Sequence, residues 1–229
     1  MSEHPSWQEM LLNPMAGSHL LKICRDEAMQ AEAVAHFIKG GLLDNELVFI
    51  IARASLRNAI ISHLNAMGLN VQSFKNQGQL KFLDAEFLLS RILINDSFEE
   101  QVIQESIVRP IQIAHLKYGK MRAFGEMVDL LWKRRQYDRA LQLEKLWDDL
   151  AKEYQFALLC TYLSNSFDAN DYDDSLEHVC KVHSHLLPLE HEEVTASCAK
   201  GEAIDRFRAA WDRVVEKVTV AKQIPQVPI

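Results

Sequence analysis

Two short strings and three further residues hold the side chains best suited to chemistry. Arg25-Asp26-Glu27 follows directly on the apolar run HLLKIC (19–24), and Phe124-Gly125-Glu126 lies in the run MRAFGEM (121–127). In an open α/β sheet, ligands meet the protein at the carboxyl ends of the strands, which makes these six residues candidate ligand contacts. Tyr162, at the end of FALLCTY (156–162), joins them, as do the imidazoles of His183 and His185. A nucleotide-binding turn needs glycines whose amides wrap a phosphate, and a Lys-Ser/Thr pair for charge and magnesium. The turn at Arg25 carries two carboxylates instead, and no G-x-x-x-x-G-K-S/T string occurs in the chain. The plain reading of Asp26 and Glu27 is that they stabilise the start of the next helix through its dipole. Glu126 stands where ATPases hold a water or a metal, but without a phosphate cradle it hydrolyses nothing. Its plain reading is a hydrogen-bond partner for neighbouring backbone or for Arg122. Gly125 beside it predicts the close approach of a crossing chain or of a ligand.

His183 and His185 alternate as H-x-H, with His178 and His191 nearby, and imidazoles bind zinc or nickel. Residues two apart on a helix point to different faces, so this pair shares a metal only if the segment is extended. The expectation is a structural or ligand-contacting role and no metal. Asp168 to Asp174 resembles a calcium loop only in charge, since it lacks the central glycine and the twelfth-position glutamate. Cys24, Cys160, Cys180 and Cys198 form no Cys-x-x-Cys pair, so neither a zinc knuckle nor a redox dithiol is written here. No G-x-S-x-G elbow is present, and the cysteines and histidines are too scattered to nominate a catalytic pair. The chain therefore reads as a non-enzyme without a cofactor.

The elements that must position these residues follow from hydrophobic periodicity. With 229 residues and 48% hydrophobic content, the chain can fill one large α/β domain, alone or with a helical appendage. A net charge of −7 argues against a surface built to neutralise nucleic acid, and Lys133-Arg134-Arg135 reads as a solvated helix end. No basic-then-apolar leader opens the sequence and no run approaches the roughly 18 apolar residues of a membrane span, so a soluble, cytoplasmic protein is expected. HLLKIC, LVFIIA (47–52), LKFLDA (80–85), MRAFGEM and FALLCTY read as strands, separated by helical patterns. Gly40-Gly41 is expected to close the first of these helices in a left-handed turn, Ser55 to cap the second, Gly68 to end it, and Pro110 to kink or divide the stretch 98–118. Parallel pairing follows from the alternation, giving an open, mainly parallel sheet with helices on both faces. Ile204, Phe207, Trp211, Val214, Val215 and Val218 form the apolar stripe of a C-terminal helix that either docks on the domain or pairs with another subunit.

The string Arg122-Ala123-Phe124-Gly125-Glu126-Met127-Val128-Asp129-Leu130-Leu131-Trp132 resembles the MEDS sensory domain of methanogens and methylotrophs. Gly41-Leu42 with Glu46-Leu47-Val48, Leu143-Glu144 with Leu146-Trp147 and Leu150, Leu158-Leu159-Cys160 with Tyr162, and Val182-His183-Ser184-His185 before Pro188 agree with it in order. The resemblance implies a RecA-like three-layer core related to circadian-clock ATPases, with the phosphate loop degraded, that senses small molecules such as hydrocarbon derivatives. It divides the chain into a lead-in (1–17), a sensory domain (18–190) and a helical appendage (191–229). Family members sit beside histidine-kinase or DNA-binding modules. Too few residues flank the domain here for either, so the output is expected through a protein partner, such as a histidine kinase or transcription regulator, or through a homodimer. The expected function is a non-catalytic regulator with a pocket near Arg25, Glu126, Tyr162 and His183 and the C-terminal helix as its movable element. The alternatives are a residual ATP-binding protein or ATPase and a ligand-free interaction scaffold.

Overall fold

A computed structural model describes residues 7–167, 172–187 and 201–223. In chain order the elements are α1 (Trp7–Leu12), β1 (His19–Cys24), α2 (Glu27–Leu43), β2 (Leu47–Ala52), α3 (Ala54–Ala66), α4 (Val71–Asn76), β3 (Leu80–Asp84) and α5 (Ala85–Ile92). A two-residue hairpin, β4 (Leu93–Ile94) and β5 (Ser97–Phe98), leads to α6 (Glu100–Ile103), a π-helical turn (Gln104–Val108) and α7 (Arg109–Tyr118). Then come β6 (Met121–Gly125), α8 (Met127–Lys133), α9 (Tyr137–Glu153), β7 (Ala157–Leu163), a 3-10 turn (Ser164–Ser166), α10 (Tyr172–Val182), β8 (His185–Leu186) and α11 (Gly201–Gln223).

The main sheet has six strands in the order β3-β2-β6-β7-β1-β8, and every pairing in it is parallel. Residues of β1, β2, β6 and β7 are buried throughout, as expected of runs covered on both faces. Alternation along the strands divides the core in two. Leu20, Val48, Ile50, Phe124 and Leu159 pack under α1, α2 and α3. Leu21, Ile23, Phe49, Ala123, Leu158, Cys160 and Tyr162 face the other layer, built from α5 to α11. This is the three-layer α/β arrangement the periodicity predicts.

Several local expectations are corrected. Gly40 and Gly41 do not close α2, which runs on to Leu43 and is followed by Asn45 at φ 58°. They are glycines because of what lies beside them: a Cβ at Gly40 would stand 2.2 Å from the Leu12 carbonyl oxygen, and one at Gly41 2.6 Å from Arg122 Nε. Arg122 is buried there, donating from Nε to Glu46 and from Nη1 to the Phe37 and Leu12 carbonyls at 2.8 and 3.2 Å. Those bonds offset the cost of burying a guanidinium. The N-cap position of α3 is Arg53, not Ser55, which lies inside the first turn. Gly68, at φ 82°, does follow the end of α3. Pro110 does mark a boundary, one of the two outcomes expected of it. It sits in the first turn of α7, directly after the π-helical stretch 104–108, a position at which a helix tolerates the missing N–H.

The C-terminal helix docks on the domain. Phe207, Trp211, Val214 and Val218 are buried in the same core as β7 and α9, while Arg213 and Lys217 pair with Asp173 and Glu177 of α10. No described helix is long and apolar enough to cross a membrane.

Candidate functional site

Among the described residues, the candidate side chains and their polar neighbours gather in two places, one at the carboxyl edge of the sheet and one beneath α9. At the edge, Asp26 caps α2 by accepting the Met29 N–H at 3.0 Å, and Arg25 Nε donates to Asp26 at 2.8 Å. The Met29 amide hydrogen bond, together with the guanidinium of Arg25, holds the Asp26 carboxyl below its ordinary range. Glu126, directly after β6, is fully buried. It accepts from the backbone N–H and Nε of Arg53, at the end of β2, at 2.6 and 2.7 Å. Arg53 Nη2 continues to Glu27 at 3.1 Å. Burial pushes the Glu126 carboxyl up, and Arg53 pulls it back. Asp129, one turn further on in α8, is buried beside the end of β7. It accepts from Leu163 N–H and Ser166 Oγ, and pairs with Lys133 at 2.7 Å.

The second assembly lies on the face of the sheet covered by α9 and α10. His19, the first residue of β1, and Cys160 and Tyr162 of β7 point to this face. Glu144 descends onto them from α9 and is fully buried. Its Oε2 lies 3.2 Å from His19 Nε2 and 3.3 Å from Cys160 Sγ, while its Oε1 accepts the Tyr162 hydroxyl at 2.6 Å. His183 stacks against His19 with centroids 4.1 Å apart. The His183 Nδ1 bonds the Val179 carbonyl at 2.7 Å, and its Nε2 stands 3.6 Å from Glu144 Oε1. His19 Nδ1 faces Asp148, one helical turn beyond Glu144, at 3.5 Å.

Burial works against every charge here. It would lower the His19 pKa, but Asp148 and Glu144 more than compensate and raise it. It drives His183, which also faces His19, down to about 4. It would raise Glu144, yet the two imidazoles and the Tyr162 hydroxyl hold that carboxyl low. The Cys160 thiol and Tyr162 phenol, buried against Glu144, are both pushed up.

The structure thus brings together Arg25, Asp26, Glu27 and Glu126 at the strand ends, with Phe124 and Gly125 in the buried strand beside them. Glu126 is bonded to Arg53, not to Arg122. Gly125 has no close neighbour, since a Cβ there would meet only the Trp147 indole at 3.9 Å. Tyr162 and His183 join the second assembly instead. His185 lies half-buried in β8 and bonds Ser184 at 2.9 Å. The segment 183–185 is not helical, and of its two imidazoles only His183 stands among the donors beneath α9. His191, Cys198 and Asp168 to Asp171 lie outside the described residues. Sequence reasoning missed Arg53, Asp129, His19, Glu144 and Asp148. Glu144 and Asp148 are spaced i, i+4 beside Leu143 and Trp147, the one available sign that carboxylates sit at the margin of a buried stripe.

A comparison with curated proteins finds no match. Residues 18–184 match the family described as "MEthanogen/methylotroph, DcmR Sensory domain", a span that takes in both polar assemblies. The chain belongs to the MEDS family of sensory domains.

Proposed function

We propose that this chain is a non-catalytic receiver that binds a small organic molecule, such as a hydrocarbon derivative, at the carboxyl edge of its sheet. Its output passes through α11 to a protein partner, such as a histidine kinase or transcription regulator. The observation that carries this reading is the Glu126–Arg53–Glu27 chain, which ties the ends of β6 and β2 to the start of α2. A ligand that competes for Arg53 would release Glu126 and loosen that tie, which is the differential contact a sensor requires. The same edge supports descent from a RecA-like ATPase whose phosphate turn has degraded. Asp26 occupies the Met29 amide at the start of α2, Arg25 is paired with Asp26, and Arg53 is neutralised by two carboxylates. A triphosphate arriving there would meet acids where it needs amides and a lysine.

Native mass spectrometry of the purified full chain, together with calorimetric titration by Mg-ATP, tests the reading. A co-purifying small molecule that is lost in Arg53→Ala, with no saturable heat from Mg-ATP, is expected. Saturable Mg-ATP binding abolished by Arg25→Ala would transfer the chain to the ATP-binding alternative.

A further inference from the structure

We propose that His19, Glu144, Cys160 and His183 form a closed, zinc-type metal site beneath α9. The four donor atoms lie within 4.8 Å of one another and all four residues are buried. Metal–ligand bonds of ~2.0–2.3 Å place the corners of a tetrahedron about 3.3–3.6 Å apart. The separations around Glu144 Oε2 and His19 Nε2 are 3.2 Å between those two atoms and 3.3 Å from each to Cys160 Sγ, with His183 Nε2 3.6 Å from the other Glu144 oxygen. Three corners already stand at coordination spacing, and the fourth closes by about 1 Å, the scale of a side-chain adjustment.

The surroundings orient each donor as metal sites require. The Val179 carbonyl fixes the proton of His183 on Nδ1, which leaves the Nε2 lone pair directed inward. That Nε2 is buried and has no hydrogen-bond partner. It stands 3.6 Å from a Glu144 oxygen, so two buried acceptors face each other, an arrangement that a bound cation would relieve. Asp148 stands behind His19 Nδ1 as the carboxylate of a carboxylate–histidine–metal relay, and the Tyr162 hydroxyl holds the Glu144 oxygen that does not face Cys160. Two imidazoles, one thiolate and one carboxylate suit a divalent ion of zinc type, and they cancel its charge. Binding displaces the Cys160 thiol proton and any proton on His19 Nε2 to solvent. All four ligands come from the protein, so the site is structural: it pins the start of β1, the middle of β7, α9 and the end of α10 to one point.

The probes are zinc and cobalt(II), added to the full chain after chelation. One equivalent of cobalt is expected to give the intense visible bands of a tetrahedral ion and a near-ultraviolet thiolate charge-transfer band. X-ray absorption of the zinc-loaded protein is expected to show one sulfur and three nitrogen or oxygen neighbours. Cys160→Ser should lose the charge-transfer band, and His183→Gln should weaken binding tenfold or more. Substoichiometric binding, a six-coordinate spectrum, or a zinc shell without sulfur would overturn the assignment. So would unchanged affinity in both variants. The absorption measurements use the unaltered chain and decide the matter even if the variants do not fold.

Discussion

Gly41 and Arg122 share one space: a Cβ on the first would stand 2.6 Å from Nε of the second and 2.7 Å from its Cδ. The glycine in α2 and the arginine in β6 are therefore one structural decision, a cation threaded between sheet and helix to reach the Phe37 and Leu12 carbonyls. Gly41→Ala should destabilise the fold by about 1–3 kcal/mol through overpacking. Gly125→Ala, whose Cβ would meet only Trp147 at ordinary contact distance, should shift the urea midpoint little. Chemical denaturation of the two variants side by side checks the contrast.

Arg53→Met should leave Glu126 as a buried carboxylate without its cation, at a cost of about 2 kcal/mol near neutral pH. The sign of the pH dependence follows from burial, which raises the folded carboxyl above its ordinary 4.5. Such a group favours folding most below its unfolded value and loses that contribution as pH rises through the folded one. Without Arg53 the rise is larger, so the deficit of the variant should grow from acid to neutral pH. Urea melts across that range would show it, and a deficit independent of pH would contradict this account.

Asp26 works in the opposite direction. Its carboxyl is lowered in the folded chain from an ordinary 3.8, so its contribution is present above that value and disappears as pH falls through the folded one. Asp26→Ala should cost about 1 kcal/mol at neutral pH by freeing the Met29 amide, and Asp26→Asn should cost less. Thermal unfolding of both variants at pH 7 and in acid measures the difference, which should shrink in acid for the alanine variant.

Trp211→Ala should cost about 3–5 kcal/mol, because the indole is buried in the core shared with β7 and α9. The loss should appear first as release of α11. Limited proteolysis after Leu187 should therefore accelerate more than unfolding of the sheet, followed by mass spectrometry of the fragments.

The strands were legible because parallel, doubly covered strands are continuous apolar runs. HLLKIC and LVFIIA coincide with β1 and β2 to the residue. Gly40-Gly41 misled because the reasons for those glycines lie far along the chain, in the Leu12 carbonyl and in Arg122, and close approach leaves no mark on local periodicity. The strand-edge residues could be named from fold logic, but not their partner Arg53, whose role depends on β2 lying beside β6. The cluster beneath α9 was hidden more thoroughly. His19 and Cys160 sit inside apolar runs where each reads as packing, and Glu144 sits in a helix rich in solvated charge. Only the parallel register, which sets Leu21 opposite Cys160 and His19 opposite Leu158, places their side chains on one face.

The π-helical stretch from Gln104 to Val108 sets a limit on how this chain can vary in length. Ile103 precedes it, Ile107 and Val108 lie within it, Ile111 follows it, and all four are buried. Removing one residue between them would turn everything downstream by about 100° relative to everything upstream. One side of the segment would then present its apolar residues to water. Homologues that retain Pro110 at the same distance from Ile103 would thus be expected to keep the extra residue as well, making the spacing rather than the side chains the inherited character.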